Sequence, residues 1–104
     1  MKKYDLIISK QVDEDIAQIV KRKKEFGTYQ SNINEFLEEI DSCYERLETS
    51  PYTGSNLSAR VRRKTDKKYF VIEDYLMIYR VSEDTVNVMR VLSAKSNWQR
   101  MLFK

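Results

Sequence analysis

The chain has 104 residues, 41% apolar and 34% charged, which is enough for one modest core under a well-solvated surface. It holds no histidine and one cysteine, so imidazole acid–base chemistry, an internal disulfide and a zinc site built on cysteine or histidine are excluded. The net charge of +3 hides an asymmetry: residues 1–50 carry 8 basic and 11 acidic side chains, residues 51–104 carry 11 and 5. A basic half fits an acidic partner, either nucleic acid or an acidic protein segment. No apolar run reaches the roughly 18 residues of a membrane span. The apolar run near the start, Leu6 to Ile8, is too short for a signal peptide, so a cytoplasmic protein of one domain over residues 1–104 is expected.

Tyr4 to Ser9 reads as a short strand, and Ser9 can cap a helix running from Lys10 to Phe26. Val12, Ile16, Ile19 and Val20 form its apolar face. Asp13, Glu14 and Asp15 in the first turns and Lys21 to Lys24 in the last complement the helix dipole. The basic run reads first as a solvated helix end and second as a binding element. Gly27 ends this helix, and Thr28 can cap a second from Tyr29 to Glu48. Its stripe is Ile33, Phe36, Leu37, Ile40, Tyr44 and Leu47 at helical spacing. So short a turn makes the two helices an antiparallel hairpin. Cys43 lies beside the stripe with no base to activate it, which makes it a small structural hydrophobe.

SPYTGSNLSA, Ser50 to Ala59, carries the only proline and the second glycine and reads as a loop. Strands are expected at Arg60 to Lys64, Lys68 to Ile72, Tyr75 to Val81 and Val86 to Leu92, with Glu73-Asp74 a poor pair for a tight hairpin turn. The tail should close in a helical turn capped by Ser96, with Trp98, Met101 and Leu102 packing back. The fold class is therefore α+β: an N-terminal strand, an antiparallel two-helix hairpin packed on an antiparallel β-sheet, and a short C-terminal helical turn. In that sheet Arg60 and Arg62 would share one face and Arg63 the other. Tyr69, Tyr75 and Tyr79 read as cross-strand core residues. Lys67 and Lys68 would discourage edge pairing. Arg80 and Arg90 interrupt apolar strands and should face the less covered side, in a groove with the tail. Trp98 is either the tail's anchor or an interface residue.

The loop SPYTGSNL, the basic segment Arg60 to Arg63 and the run DYLMIYRVSEDTVNVMRVLSAKSNW, Asp74 to Trp98, together resemble the RelE/ParE superfamily of toxins from bacterial type II toxin–antitoxin pairs. The resemblance implies a cytoplasmic growth inhibitor held in a hetero-oligomer by a cognate antitoxin, with no cofactor, metal or membrane. The superfamily has two main activities: RelE-type members cut mRNA on the ribosome, and ParE-type members poison DNA gyrase. At positions where RelE-type enzymes carry an arginine after the strand tyrosine, a tail arginine and a tail tyrosine, this chain has Leu76, Ser96 and a residue near Leu102. Of the basic pair in the preceding strand, Lys67 is kept and Tyr69 replaces the other. The SPY loop, IYRV strand and VLSAKS segment are more similar to ParE-type sequences. One departure is Lys95-Ser96, where that family usually has two adjacent arginines, so one forked cation is lost. The resemblance therefore implies a gyrase poison that acts by binding rather than by catalysis, with Arg60, Arg62, Arg63, Arg80, Arg90, Lys95 and Trp98 as target- or antitoxin-binding residues. The alternatives are an mRNA endoribonuclease with a site rebuilt around Lys67, Arg80 and Lys95, or an inactive toxin fold that only binds antitoxin.

Overall fold

The computed structural model describes residues 3–103, so residues 1, 2 and 104 of the expected domain lie outside the described residues. Strand β1 (Asp5–Ile8) leads into helix α1 (Lys10–Glu25), and helix α2 (Gln30–Thr49) returns antiparallel to it. A 3-10 turn (Pro51–Thr53), a two-residue strand β2 (Ser55–Asn56) and one helical turn α3 (Ser58–Val61) follow. Strands β3 (Lys68–Ile72), β4 (Tyr75–Ser82) and β5 (Thr85–Ser93) make the meander, and α4 (Trp98–Leu102) closes the tail. Among the described residues the strands form one sheet in the order β1-β5-β4-β3-β2. The α+β class is as expected, but β1 runs parallel to β5, so the sheet is mixed rather than antiparallel. A tight hairpin forces its strands antiparallel; β1 reaches β5 only through the two-helix crossover, which lifts that constraint.

Ser9 caps α1 as its position suggests, its hydroxyl accepting from the Val12 amide at 3.4 Å. At the other end the Gly27 and Thr28 amides donate back to the carbonyls of Lys24 and Lys23, at 3.1 and 2.9 Å. With Gly27 at φ 74° this is a Schellman closure, which needs a residue tolerant of left-handed backbone. Thr28 is used up in that closure, so the cap of α2 falls on Tyr29, one residue later than expected, and has no side-chain bond.

The helices cover one face of the sheet. Val12 and Ile19 of α1 and Phe36, Ile40 and Leu47 of α2 meet Phe70, Ile72, Met77, Tyr79, Val86, Val88 and Val91 in one buried cluster. Lys23 latches the hairpin to the sheet: its ammonium lies 2.8 Å from the Glu73 carboxylate and 5.0 Å from the centre of the Phe36 ring. One member of the basic run is thus structural.

The other face has its own smaller core. Leu57, Val61, Leu76, Ile78, Leu92 and Trp98 are buried together, with Tyr69, Ala94, Leu102 and Phe103 packed against them. This core explains why Arg60 to Lys64 do not form the expected strand. Leu57 and Val61 are four residues apart, and a helical turn brings both onto the sheet. Arg62, at φ 50°, then turns the chain away. At the tail, Ser96 does not cap α4; its hydroxyl donates to the Ser93 carbonyl at 2.7 Å, and Asn97 holds the cap position without a side-chain bond. Trp98 and Leu102 pack back as expected, whereas Met101 stays 45% exposed.

The Ser50 loop has a definite task. Tyr79 is fully buried, and its hydroxyl donates to the Pro51 carbonyl at 2.6 Å. Gly54 lies against the same hydroxyl, where any Cβ would collide with it. Burial pushes the phenol of Tyr79 up to about 12, and burial does the same to Tyr44.

Strand β5 contains a bulge: Ile78 pairs with Arg90 and Tyr79 with Val88, leaving Met89 without a partner on β4. On the other side β1 ends at Ile8, opposite Val88, so the next backbone groups of β5 have no strand beside them. Side chains take over. The Ser9 hydroxyl donates to the Met89 carbonyl at 3.0 Å, and Asp15 accepts from the Val91 amide at 3.0 Å. Asp15 also accepts from Arg90 Nε and Nη2, both at 2.9 Å, in a forked pair with side-chain exposures of 10% for Asp15 and 19% for Arg90. This pair raises the Arg90 guanidinium above its ordinary value.

Asp15→Ala removes three acceptor contacts and leaves the Arg90 charge half-buried and unpaired; it lowers stability by about 2–4 kcal/mol in chemical unfolding. The hairpin turns predict a gain. Glu73 and Glu83 both sit at φ 53°, a strained backbone for a side chain that is not glycine. Glu83→Gly, away from the Lys23 latch, should raise stability by about 0.5–1 kcal/mol, and Glu83→Ala should not. The raised phenols of Tyr44 and Tyr79 stabilise the fold fully below pH 10, and that contribution is lost as pH rises through about 12. An absorbance titration should show two tyrosinates appearing only near pH 12, one of which Tyr79→Phe removes.

Candidate functional site

The basic segment emerges from the smaller core with its cations braced on aromatic rings. Val61 is buried and Arg62 turns the chain, so Arg60, Arg62 and Arg63 leave on exposed backbone. The Arg60 guanidinium lies 5.4 Å from the Tyr69 ring centre and donates to the Tyr69 hydroxyl at 3.3 Å. Arg63 lies 4.3 Å from the Phe103 ring centre, and the Lys67 ammonium lies 5.4 Å from the same ring. Lys68 donates to Asn56 Oδ1 at 2.8 Å and lies 6.0 Å from the Tyr52 ring centre. Each such contact is worth about 0.5–1 kcal/mol at an exposed site, enough to bias a flexible side chain toward one orientation. Arg63, Lys64, Thr65, Asp66, Lys67 and Phe103 line a shallow depression of about 630 Å³ with three cations to one carboxylate. The sharing of sheet faces expected for Arg60, Arg62 and Arg63 does not arise, because they lie on a helical turn and its exit.

A second surface surrounds Arg80. The small core leaves the β1 side of its sheet face uncovered, where Ile7, Ser9, Gln11, Arg80, Asn87, Val88 and Met89 line a groove of about 400 Å³. Ile7 is 54% exposed there. The Arg80 guanidinium has Asp66 at 4.0 Å, but both side chains are open to water, so this pairing holds it weakly. The groove is aliphatic with one available cation. Arg90, expected open beside Arg80, is instead held by Asp15 of α1 in a forked pair.

The remaining candidates separate further. Trp98 is 5% exposed inside the small core, so it anchors the tail rather than presenting itself to a partner. Lys95 pairs at 3.5 Å with Asp74, at the β3–β4 turn, with both side chains exposed. Arg80 stands near the far end of β4, roughly 20 Å along the strand. Lys67, Arg80 and Lys95 therefore do not converge. Leu76, where the RNA-cutting relatives carry an arginine, is fully buried beneath the tail. Burial raises the Cys43 thiol above its ordinary value, away from the nucleophilic thiolate. Among the described residues no three His, Cys, Asp or Glu side chains gather as metal ligands. No helix of the described residues is long and apolar enough to cross a membrane.

Sequence reading missed Phe103 and Asp15. Phe103 follows the short tail helix, outside any periodic stripe, and its role depends on a chain reversal that brings it under Arg63. Asp15 looked like one of three acids in the first turns of a helix; its partner is 75 residues away.

The arrangement as a whole can be set beside known proteins. The family model described as "ParE toxin of type II toxin-antitoxin system, parDE" matches residues 6–98. No curated protein is detectably similar in sequence. Among solved structures, the fold is similar to a chain of the chromosomal ParDE TA system from P. aeruginosa, with a TM-score of 0.69 and 12% identity, covering 88% of this chain and 96% of that one. The family match starts within β1 and ends at the first residue of α4, and so takes in both helices, the Pro51 turn, the basic segment and the meander. The chain belongs to the ParE toxin family of type II toxin–antitoxin systems.

Proposed function

We propose that the chain inhibits growth in the cytoplasm by binding and poisoning DNA gyrase, and that a cognate antitoxin neutralises it by docking in the groove around Arg80. The observation that carries this reading is the distribution of the cations. Phosphodiester cleavage needs a proton acceptor, a proton donor and cations focused on one phosphate. Here Lys95 stands at the opposite end of β4 from Lys67 and Arg80, and Leu76 is buried in an apolar cluster. What the surface offers instead is a margin of braced cations, Arg60, Arg63, Lys67 and Lys68, suited to an acidic surface on the target. The Arg80 groove offers aliphatic contact from Ile7 and Met89 beside one open cation, which suits an antitoxin segment that alternates apolar and acidic side chains. Asp66 lines the depression under the braced margin and lies 4.0 Å from Arg80, so the two surfaces adjoin.

Purified protein incubated with gyrase, ATP and relaxed plasmid should block supercoiling or trap double-strand breaks. Arg63→Glu, which reverses the cation on the Phe103 ring without touching the core, should weaken that effect by about tenfold or more while leaving the fold intact. Arg80→Glu should leave gyrase inhibition in place and weaken capture by the neighbouring gene's antitoxin by about tenfold. Codon-positioned cuts in mRNA on translating ribosomes, with gyrase unaffected, would move the assignment to an endoribonuclease. Antitoxin binding without either activity would leave an inactive toxin fold.

A further inference from the structure

The tip of the helical hairpin carries two large side chains that the fold does not use. Phe26 is 87% exposed and Tyr29 is 78% exposed. A phenylalanine this open contributes nothing to the core, and burying it against a partner is favourable. The tip is not a loose loop. The Schellman closure of α1 places Phe26 at its C-cap, Gly27 reverses the chain, and Tyr29 caps α2. Both rings therefore project from a hydrogen-bonded turn.

The surroundings of the rings are cationic. Lys21, Arg22 and Lys24 in the last turns of α1 are all exposed, while Lys23 is withdrawn to Glu73 and the Phe36 ring. Arg22 lies four residues before Phe26, on the same helix face. Glu25 is the one acid in this stretch between Lys21 and Gln30. A second copy of the chain would set these cations against their own kind, so self-association through the tip is opposed. Cations interleaved with exposed aromatic rings match a strand in which phosphates alternate with bases that offer their faces for stacking.

We propose that the hairpin tip is a contact for unpaired nucleic acid, with Phe26 and Tyr29 stacking on bases and Lys21, Arg22 and Lys24 meeting the flanking phosphates. The site is separate from the groove around Arg80, which lies by Ser9 and Gln11 at the opposite end of α1, roughly 24 Å away along the helix. It is also independent of the gyrase reading, since it requires no other protein.

Fluorescence anisotropy of a short labelled oligothymidylate with the full purified chain at low salt tests it. The wild type should bind the single strand more tightly than a duplex of the same length, and the affinity should fall with added salt. Phe26→Ala and Tyr29→Ala should each weaken binding by about fivefold or more. The double charge reversal Lys21→Glu with Lys24→Glu should weaken it and flatten the salt dependence. All four positions are exposed, and unchanged melting temperatures confirm that the variants fold. Absence of binding at low salt overturns the proposal, as does binding that neither aromatic substitution changes. Aromatic variants that bind the oligonucleotide normally yet lose gyrase inhibition would assign the tip to a protein surface and overturn it equally.

Discussion

Asp15 holds the two halves of this fold in register. β1 can pair with only the first part of β5, and a bulge then shifts the ladder by one residue. Past that point the outer edge of β5 would have unpaired backbone groups next to a helix. An unsatisfied amide there would cost about 1–3 kcal/mol. The carboxylate of Asp15 accepts the Val91 amide and grips the Arg90 guanidinium with both oxygens, while Ser9 covers the Met89 carbonyl. α1 is thereby tied to β5 at a single rotation and a single height. Lys23, two turns further on, ties the same helix to the β3–β4 turn through Glu73. Two polar links spaced along one helix fix its direction as well as its position, which apolar packing alone does less sharply.

The fixed helix determines what each face of the sheet can do. The helical hairpin fills one face with the larger cluster. The other face is covered only where α3 and the tail reach it, so its β1 side stays open around Ile7 and Arg80. Tyr79 links the two regions: its ring lies in the larger cluster, and its hydroxyl holds the Pro51 turn from which β2 and α3 depart. Pro51, Gly54 and Tyr79 thus act as one unit, with Gly54 required because the hydroxyl occupies the space of its side chain. The smaller core in turn sets where the basic segment leaves the surface.

Much of this could be read from the chain alone because it rests on local rules. Ser9, Gly27 and the apolar stripe of α2 are signals within a few residues of one another, and the helices fall within a residue or two of their expected ends. The meander strands also follow from their runs of Val, Ile, Tyr and Phe. The errors share a different cause. Arg60 to Lys64 carry residues that suit a strand, but Leu57 and Val61 had to reach the sheet together, and only a helical turn does that. Arg90 was expected to lie open beside Arg80, but Asp15, 75 residues away, holds it. Glu-Asp is an unfavourable pair for a two-residue turn, yet both hairpins use it, with the first Glu at positive φ. In each case a tertiary requirement overrode a local preference.

The braced cations follow from the same economy of space. A lysine or arginine on an open surface samples many rotamers, and ordering it on binding costs about 1.5–2 kcal/mol at most. A ring beneath the charge removes part of that cost beforehand without neutralising the charge, as a carboxylate partner would. Arg60 on Tyr69, Arg63 and Lys67 on Phe103, and Lys68 near Tyr52 all fit this pattern. Arg90, held by Asp15, shows the contrast: its charge is matched and half-buried, so it stabilises the fold. Tyr69 and Phe103 are themselves packed against the small core beside Trp98, so the tail that closes the fold also orients the charges. Loss of the tail's packing would therefore loosen the cationic margin before it disturbed the helical face, because the two cores share no side chain.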